Sequence, residues 1–123
     1  MNTQAKFSGG RNIVMKVPPH QYDAVVSFYR EVLGFRTIEK HSPAVVFEFG
    51  ANQLWIDTVP GLSQAEVWLE VITNDIAAAS EHLNTNDVVR RDEIEPLDEG
   101  FQAFWISNPA SIIHLICKDD QVA

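Results

Sequence analysis

The sequence predicts an α+β fold of two β-α-β-β-β units that form curved mixed sheets. Three observations carry this expectation. Tyr22, Val25, Val26, Tyr29, Val32 and Leu33 recur at spacings of three and four, which marks one face of a helix. Short alternating apolar segments of strand length follow it. The same order of elements then returns in the second half of the chain.

After a loose N-terminal arm, NIVMKV (12–17) alternates as a strand and is ended by Pro18 and Pro19. The helix runs to about Leu33, and Gly34 follows its last periodic residue, where helices commonly exit through a left-handed conformation. Phe35 opens a polar-apolar alternation, and strands are expected at 36–40, AVVFEF (44–49) and QLWIDTV (53–59), with Gly50 and Asn52 marking a turn. Pro60 and Gly61 break the chain. AEVWLEVI (65–72) is the next strand, and Asn74 or Asp75 can cap a helix beginning IAAASEHL. Further strands are expected at 88–91, FQAFWIS (101–107) and SIIHLICK (111–118), with Asn108 and Pro109 as a turn. This reads as a single domain over 1–123, with unit one at about 11–60 and unit two at about 64–119. Aligning Asn12 with Glu66 superimposes the two halves with almost no identities, so the element order repeats and the sequence does not.

Composition narrows the function classes. The 123 residues suffice for one domain with a real core. A hydrophobic fraction of 46% and a charged fraction of 21% are those of a globular protein, and no apolar run reaches membrane-spanning length. MNTQAKFSGG lacks the apolar core of a signal peptide, so a cytoplasmic protein is expected. The lone Cys117 excludes an internal disulfide and fits a reducing compartment. The net charge of −8 would repel nucleic acid, permits cationic ligands and serves solubility.

FYREVLGF (28–35), placed after a strand and a helix start, resembles the FY-x-x-x-LGF signature of the vicinal oxygen chelate superfamily. That group includes glyoxalases, extradiol dioxygenases, fosfomycin-resistance enzymes and bleomycin-binding proteins. The resemblance runs from about Asn12 to Lys118, and its signature residues pack the helix, so Phe28 and Tyr29 are expected in the core. It implies a divalent metal held by the first and last strands of each unit. By position the ligands would be Asn12, Trp55, Glu66 and His114. The last of these rests on SNPASIIHLI, which is similar to the D-P-x-G-N-x-x-E-L pattern with one residue missing and histidine in the place of glutamate. Asn12 offers a weak neutral amide and Trp55 cannot coordinate a metal. Glu66 and His114 remain as candidate metal ligands, two where three or four are usual, and a two-residue register shift would add Asp57.

Strand alternation assigns faces independently. Glu66 brings Trp68 and Glu70 into the cup of the curved sheet and leaves Val67, Leu69 and Val71 for the helix side. His114 brings Ile112, Ile116 and Lys118 inward and leaves Ile113, Leu115 and Cys117 for the core. Asn12 brings Val14 and Lys16, and Trp55 brings Asp57. The expected ligand-binding set is therefore Asn12, Trp55, Asp57, Glu66, Trp68, Glu70 and His114, an aromatic lining with a few charges. A planar cation could stack on Trp55 or Trp68 with Asp57, Glu66 or Glu70 balancing its charge. His20, His41 and His82 fall in loop or helix-surface contexts, and no catalytic role is expected of them or of Cys117.

Three functions fit these residues. The first is a metal-independent small-molecule binder similar to the bleomycin-resistance type, with no cofactor and an aromatic or cationic ligand. The second is a metal-dependent lyase, isomerase or dioxygenase with an altered ligand set, in which Glu66 and His114, completed by Asn12 or Asp57, hold a divalent ion. The third is a regulatory or scaffold module whose cup is closed by its own side chains. A homodimer is expected in each case, because a curved sheet face needs covering.

Overall fold

The computed structural model describes residues 4–119, so both ends of the expected 1–123 domain lie outside the described residues. The chain divides into two compact units. One is Arg11–Trp68, and the other gathers the residues before Arg11 with those from Leu69 onward.

The first unit is built from strand β1 (Phe7–Val17), whose residues before Arg11 group with the other unit, helix α1 (Tyr22–Ser27) and strands β2 (Val45–Phe49) and β3 (Asn52–Thr58). Its strands lie in the order β2-β3-β1, with β2 antiparallel and β1 parallel to β3, so the sheet is mixed. β1 begins at Phe7, ahead of the expected start at Asn12. Gly9 and Gly10 hide the alternation there, yet the backbone is extended through both.

α1 ends at Ser27, and the chain then winds as a π-helical turn over Phe28–Val32. Leu33 N–H reaches back to Phe28 O at 3.0 Å and Phe35 N–H to Tyr29 O at 2.9 Å. Gly34, at φ +72°, takes the left-handed exit expected of it. The wider turn corrects the sequence reading of this segment. Beyond Ser27 the spacing of three and four no longer marks one face. Tyr29 keeps its place, with ring centroids 6.0 Å from Phe35 and 5.7 Å from Phe47, whereas Phe28 is 46%, Val32 70% and Leu33 47% exposed. The strand expected at 36–40 is reduced to a single bridge between Thr37 and Phe47, followed by a 3₁₀ turn over Glu39–His41. The buried core of this unit is Val17, Val26, Phe47, Leu54 and Ile56.

The second unit contains strand β4 (Glu66–Thr73), whose first three residues group with the first unit, and helix α2 (Ile76–Thr85). Strands β5 (Val89–Arg90), β6 (Ala103–Ser107) and β7 (Ile113–Lys118) follow. Their order is β4-β7-β6-β5, with β4 parallel to β7 and the other pairs antiparallel. Asp75 caps α2, its Oδ1 accepting from Ala78 N–H at 2.9 Å. Ala79 of α2 meets Phe104, Ile106 and Ile116 in the buried core, with Val71, Ile76, Leu83 and Val88 packed around them.

Candidate functional site

The parallel pairing of β1 with β3 fixes which side chains share a face. Asn12 lies opposite Gln53, Val14 opposite Trp55 and Lys16 opposite Asp57. Partners in register project to the same side, so these six side chains share one face. Ile13, Met15 and Val17 pair with Leu54, Ile56 and Thr58 on the other, where the apolar residues pack with α1. The assignment of Asn12, Lys16, Trp55 and Asp57 to one face follows directly from this register.

That face carries a hydrogen-bonded relay. Asn12 Oδ1 accepts from Trp55 Nε1–H at 2.7 Å and from Gln53 Nε2–H at 3.0 Å. Gln53, 2% exposed, uses its Oε1 to bond Nε2 of His41 at 3.0 Å. The His41 ring lies against Trp55, with centroids 4.6 Å apart and planes 43° apart. His41, assigned no role from the sequence, thus belongs to the same cluster as Asn12 and Trp55. One signal for Gln53 was present, since it alternates with Trp55, whereas its place opposite Asn12 came only with the β1–β3 register. His41 carried no such signal, because the 3₁₀ turn that presents it stands where a strand was expected. Next to the relay is a cavity of about 550 Å³, lined by Arg11, Ile38, Lys40, Glu48, Gly50, Asn52 and Gln53.

Lys16 completes the face. Its Nζ lies 3.0 Å from Asp57 Oδ2 and 4.4 Å from the centroid of the Trp68 ring. The indole N–H of Trp68 donates to Glu66 Oε1 at 3.0 Å. The planar cation expected to stack on Trp68 and pair with Asp57 therefore meets a cation already there, supplied by the chain.

Along β4, alternation carries Glu66, Trp68 and Glu70 to one face, and Val71 on the other packs with α2. Glu70 packs directly against Gly10, where any side chain would collide with its carboxylate. The Cys117 Sγ–H points to Glu70 Oε2 at 3.9 Å. Burial first, then the Glu70 charge and its hydrogen bond, push the Cys117 thiol up to about 12.

The face of β7 is the reverse of the sequence expectation. Leu69 pairs with His114, Glu70 with Leu115 and Val71 with Ile116. His114 and Ile116 therefore lie on the side facing α2, where Ile116 is 1% exposed in the core, while Leu115 and Cys117 share the side of Glu70. The residue missing from SNPASIIHLI accounts for the reversal, since a one-residue slip moves every side chain of a strand to the opposite face. His114 instead bonds locally, its Nδ1 lying 3.0 Å from Ile112 O.

These positions do not fit a metal. Asn12 Oδ1 already accepts two hydrogen bonds, and Trp55 offers only a donor. His114 faces away from the side of Glu70. Asp57 is taken by Lys16. Among the described residues, no three His, Cys, Asp or Glu side chains gather to hold an ion.

By sequence, no family model matches the chain and no curated protein matches it significantly. The solved structures it resembles share its architecture. A Mn(II)-bound glyoxalase from Novosphingobium aromaticivorans aligns with a TM-score of 0.65 at 12% identity, over 94% of this chain and 40% of that one. The present chain thus spans less than half the length of that relative. A glyoxalase/bleomycin resistance protein/dioxygenase superfamily member from Vibrio splendidus 12B01 aligns with a TM-score of 0.55 at 17% identity, covering 87% and 97% of the two chains. Methylmalonyl-CoA epimerase from Mycobacterium tuberculosis aligns at 0.58 and 12% identity, covering 96% and 92%. The chain has the vicinal oxygen chelate fold. At this level of identity the likeness is one of architecture alone. Among the described residues, no helix is long and apolar enough to cross a membrane.

Proposed function

We propose that this chain is a small-molecule binding protein whose ligand sits against the β1–β3 face beside Trp55, His41 and Gln53. The carrying observation is the relay from His41 through Gln53 and Asn12 to Trp55 next to the cavity of about 550 Å³ that Gln53 also lines. A volume of this order suits a compact organic molecule. An aromatic ligand suits the site better than a cationic one, because Lys16 already covers Trp68 and neutralises Asp57. Charge on the ligand would then matter little to affinity. The protein works in the cytoplasm and needs no cofactor in this reading.

The test is tryptophan fluorescence titrated with neutral, cationic and anionic aromatic compounds of like size. Quenching that is lost in Trp55→Phe and insensitive to ligand charge is the expected result. Quenching by cations alone would restore the reading of a planar cation stacked on Trp55 or Trp68, and no quenching by any set would overturn binding on this face.

A second reading is the enzyme of the same superfamily with an altered ligand set, favoured by the likeness to a Mn(II)-bound glyoxalase. Metal near one equivalent per chain after purification without chelator, held at residues other than Asn12, Trp55, Glu66 and His114, would establish it. Homodimer formation is proposed in both readings, supported by the exposed Phe28, Val32 and Leu33 on one helix end.

A further inference from the structure

The geometry points to Nδ1 of His41 as the hydrogen-bond acceptor that selects the ligand of this face, favouring a planar aromatic that carries an O–H donor, of the phenol class. This inference rests on the binding reading above and adds the residue that discriminates among ligands.

The direction of each hydrogen bond along the relay is fixed in turn. An indole N–H can only donate, so the atom of Asn12 that meets Trp55 is the oxygen. That same oxygen accepts from Gln53, so the atom Gln53 presents to it is the amide nitrogen. The other end of the Gln53 amide is then its oxygen, which can only accept, and it faces Nε2 of His41 at 3.0 Å. His41 Nε2 must therefore carry the proton. A neutral imidazole has one N–H, so Nδ1 is left as a bare acceptor. None of the hydrogen bonds of the described residues uses Nδ1. The steps through Asn12 and Gln53 are forced by donor-only or acceptor-only atoms, the last holds for the neutral imidazole, and the sequence starts from Trp55, the ring on which His41 itself rests. A ligand ring beside Trp55 with a hydroxyl toward His41 would satisfy that acceptor. The same ring without a donor would leave it desolvated and unpaired, which is costly.

Asn12 and Gln53 act through His41 and are positioning residues. Asn12→Asp keeps an acceptor oxygen for both donors, whereas Asn12→Leu removes it and frees the Gln53 amide to turn over.

Two measurements on the full chain test this. Long-range proton–nitrogen spectra of the imidazoles in alkaline buffer should show His41 protonated at Nε2 in the wild type and in Asn12→Asp, and a mixture of tautomers in Asn12→Leu. A wild-type His41 protonated at Nδ1 overturns the inference, and should Asn12→Leu fail to fold, the wild-type spectrum alone decides. Calorimetric titration should show naphthol binding about tenfold or more tighter than methoxynaphthalene, a ratio worth about 1.4 kcal/mol. In His41→Phe the two should bind alike. Equal binding of both probes to the wild type, with tryptophan quenching retained, overturns the selecting role of His41 alone. No binding of either probe, together with no quenching by any aromatic, overturns the binding reading as well.

Discussion

The indole N–H of Trp55 donates to Oδ1 of Asn12 across the β1–β3 pair at 2.7 Å, and the amide of Gln53 donates to the same oxygen at 3.0 Å. Asn12 is buried, so both donors depend on one atom that water reaches poorly. Replacing it by an apolar residue of similar size strands two donors at once. Asn12→Leu should therefore lower unfolding free energy by about 2–3 kcal/mol. Asn12→Asp, which keeps an acceptor, should lose less. Urea unfolding of the three proteins measures this, and equal midpoints for Asn12→Leu and the wild type would show that the oxygen contributes nothing.

Lys16 is buried beneath the indole of Trp68 and paired with Asp57 at 3.0 Å. Removing the carboxylate leaves a buried ammonium with less compensation. Asp57 is partly solvated and Lys16 has further interactions, so the loss in Asp57→Asn should be about 1–2 kcal/mol, short of that for a fully buried pair. Lys16→Met in the same background should recover part of it, because the stranded charge goes as well. A double-mutant cycle by chemical denaturation reads the coupling.

Gly10 leaves room for the carboxylate of Glu70, and a Cβ there would collide with it. Gly10→Ala should destabilise the protein by about 1–3 kcal/mol as Glu70 is forced aside. Combining it with Glu70→Ala should cost much less than the sum of the single changes. Additive thermal shifts would refute the contact.

Cys117 is fully buried, and its thiol is pushed up to about 12. An unfolded chain ionises this thiol near the ordinary value of about 8.5. The neutral thiol therefore favours the folded state fully below about pH 8.5, and that contribution is lost as pH rises toward the folded value. Stability should fall by up to about 1.4 kcal/mol per pH unit between about pH 9 and about pH 11 through this group. Cys117→Ala should flatten that limb in urea titrations. The native thiol should also resist alkylation at neutral pH and react on unfolding.

Phe28, Val32 and Leu33 expose 46%, 70% and 47% of their surfaces along one helix end. If this patch is covered in a dimer, Val32→Asp should shift light-scattering mass from dimer to monomer at micromolar protein. A wild type that is already monomeric there would refute the dimer.

The order of elements was legible because periods of two and 3.6 are local properties of the chain. The face of β1 and β3 was legible for the same reason: Asn12, Lys16, Trp55 and Asp57 alternate with residues that pack as core. Three features were not legible from periodicity. The π turn over Phe28–Val32 rotates Phe28 out to solvent although the sequence spacing there looks helical. His41 reaches Gln53 and Trp55 only because a 3₁₀ turn replaces an expected strand. His114 was misplaced because alternation fixes which residues share a face, while the one residue missing ahead of β7 switches which face that is. Pairing with Leu69 made that choice, since a strand takes its orientation from the neighbour to which its backbone is hydrogen-bonded.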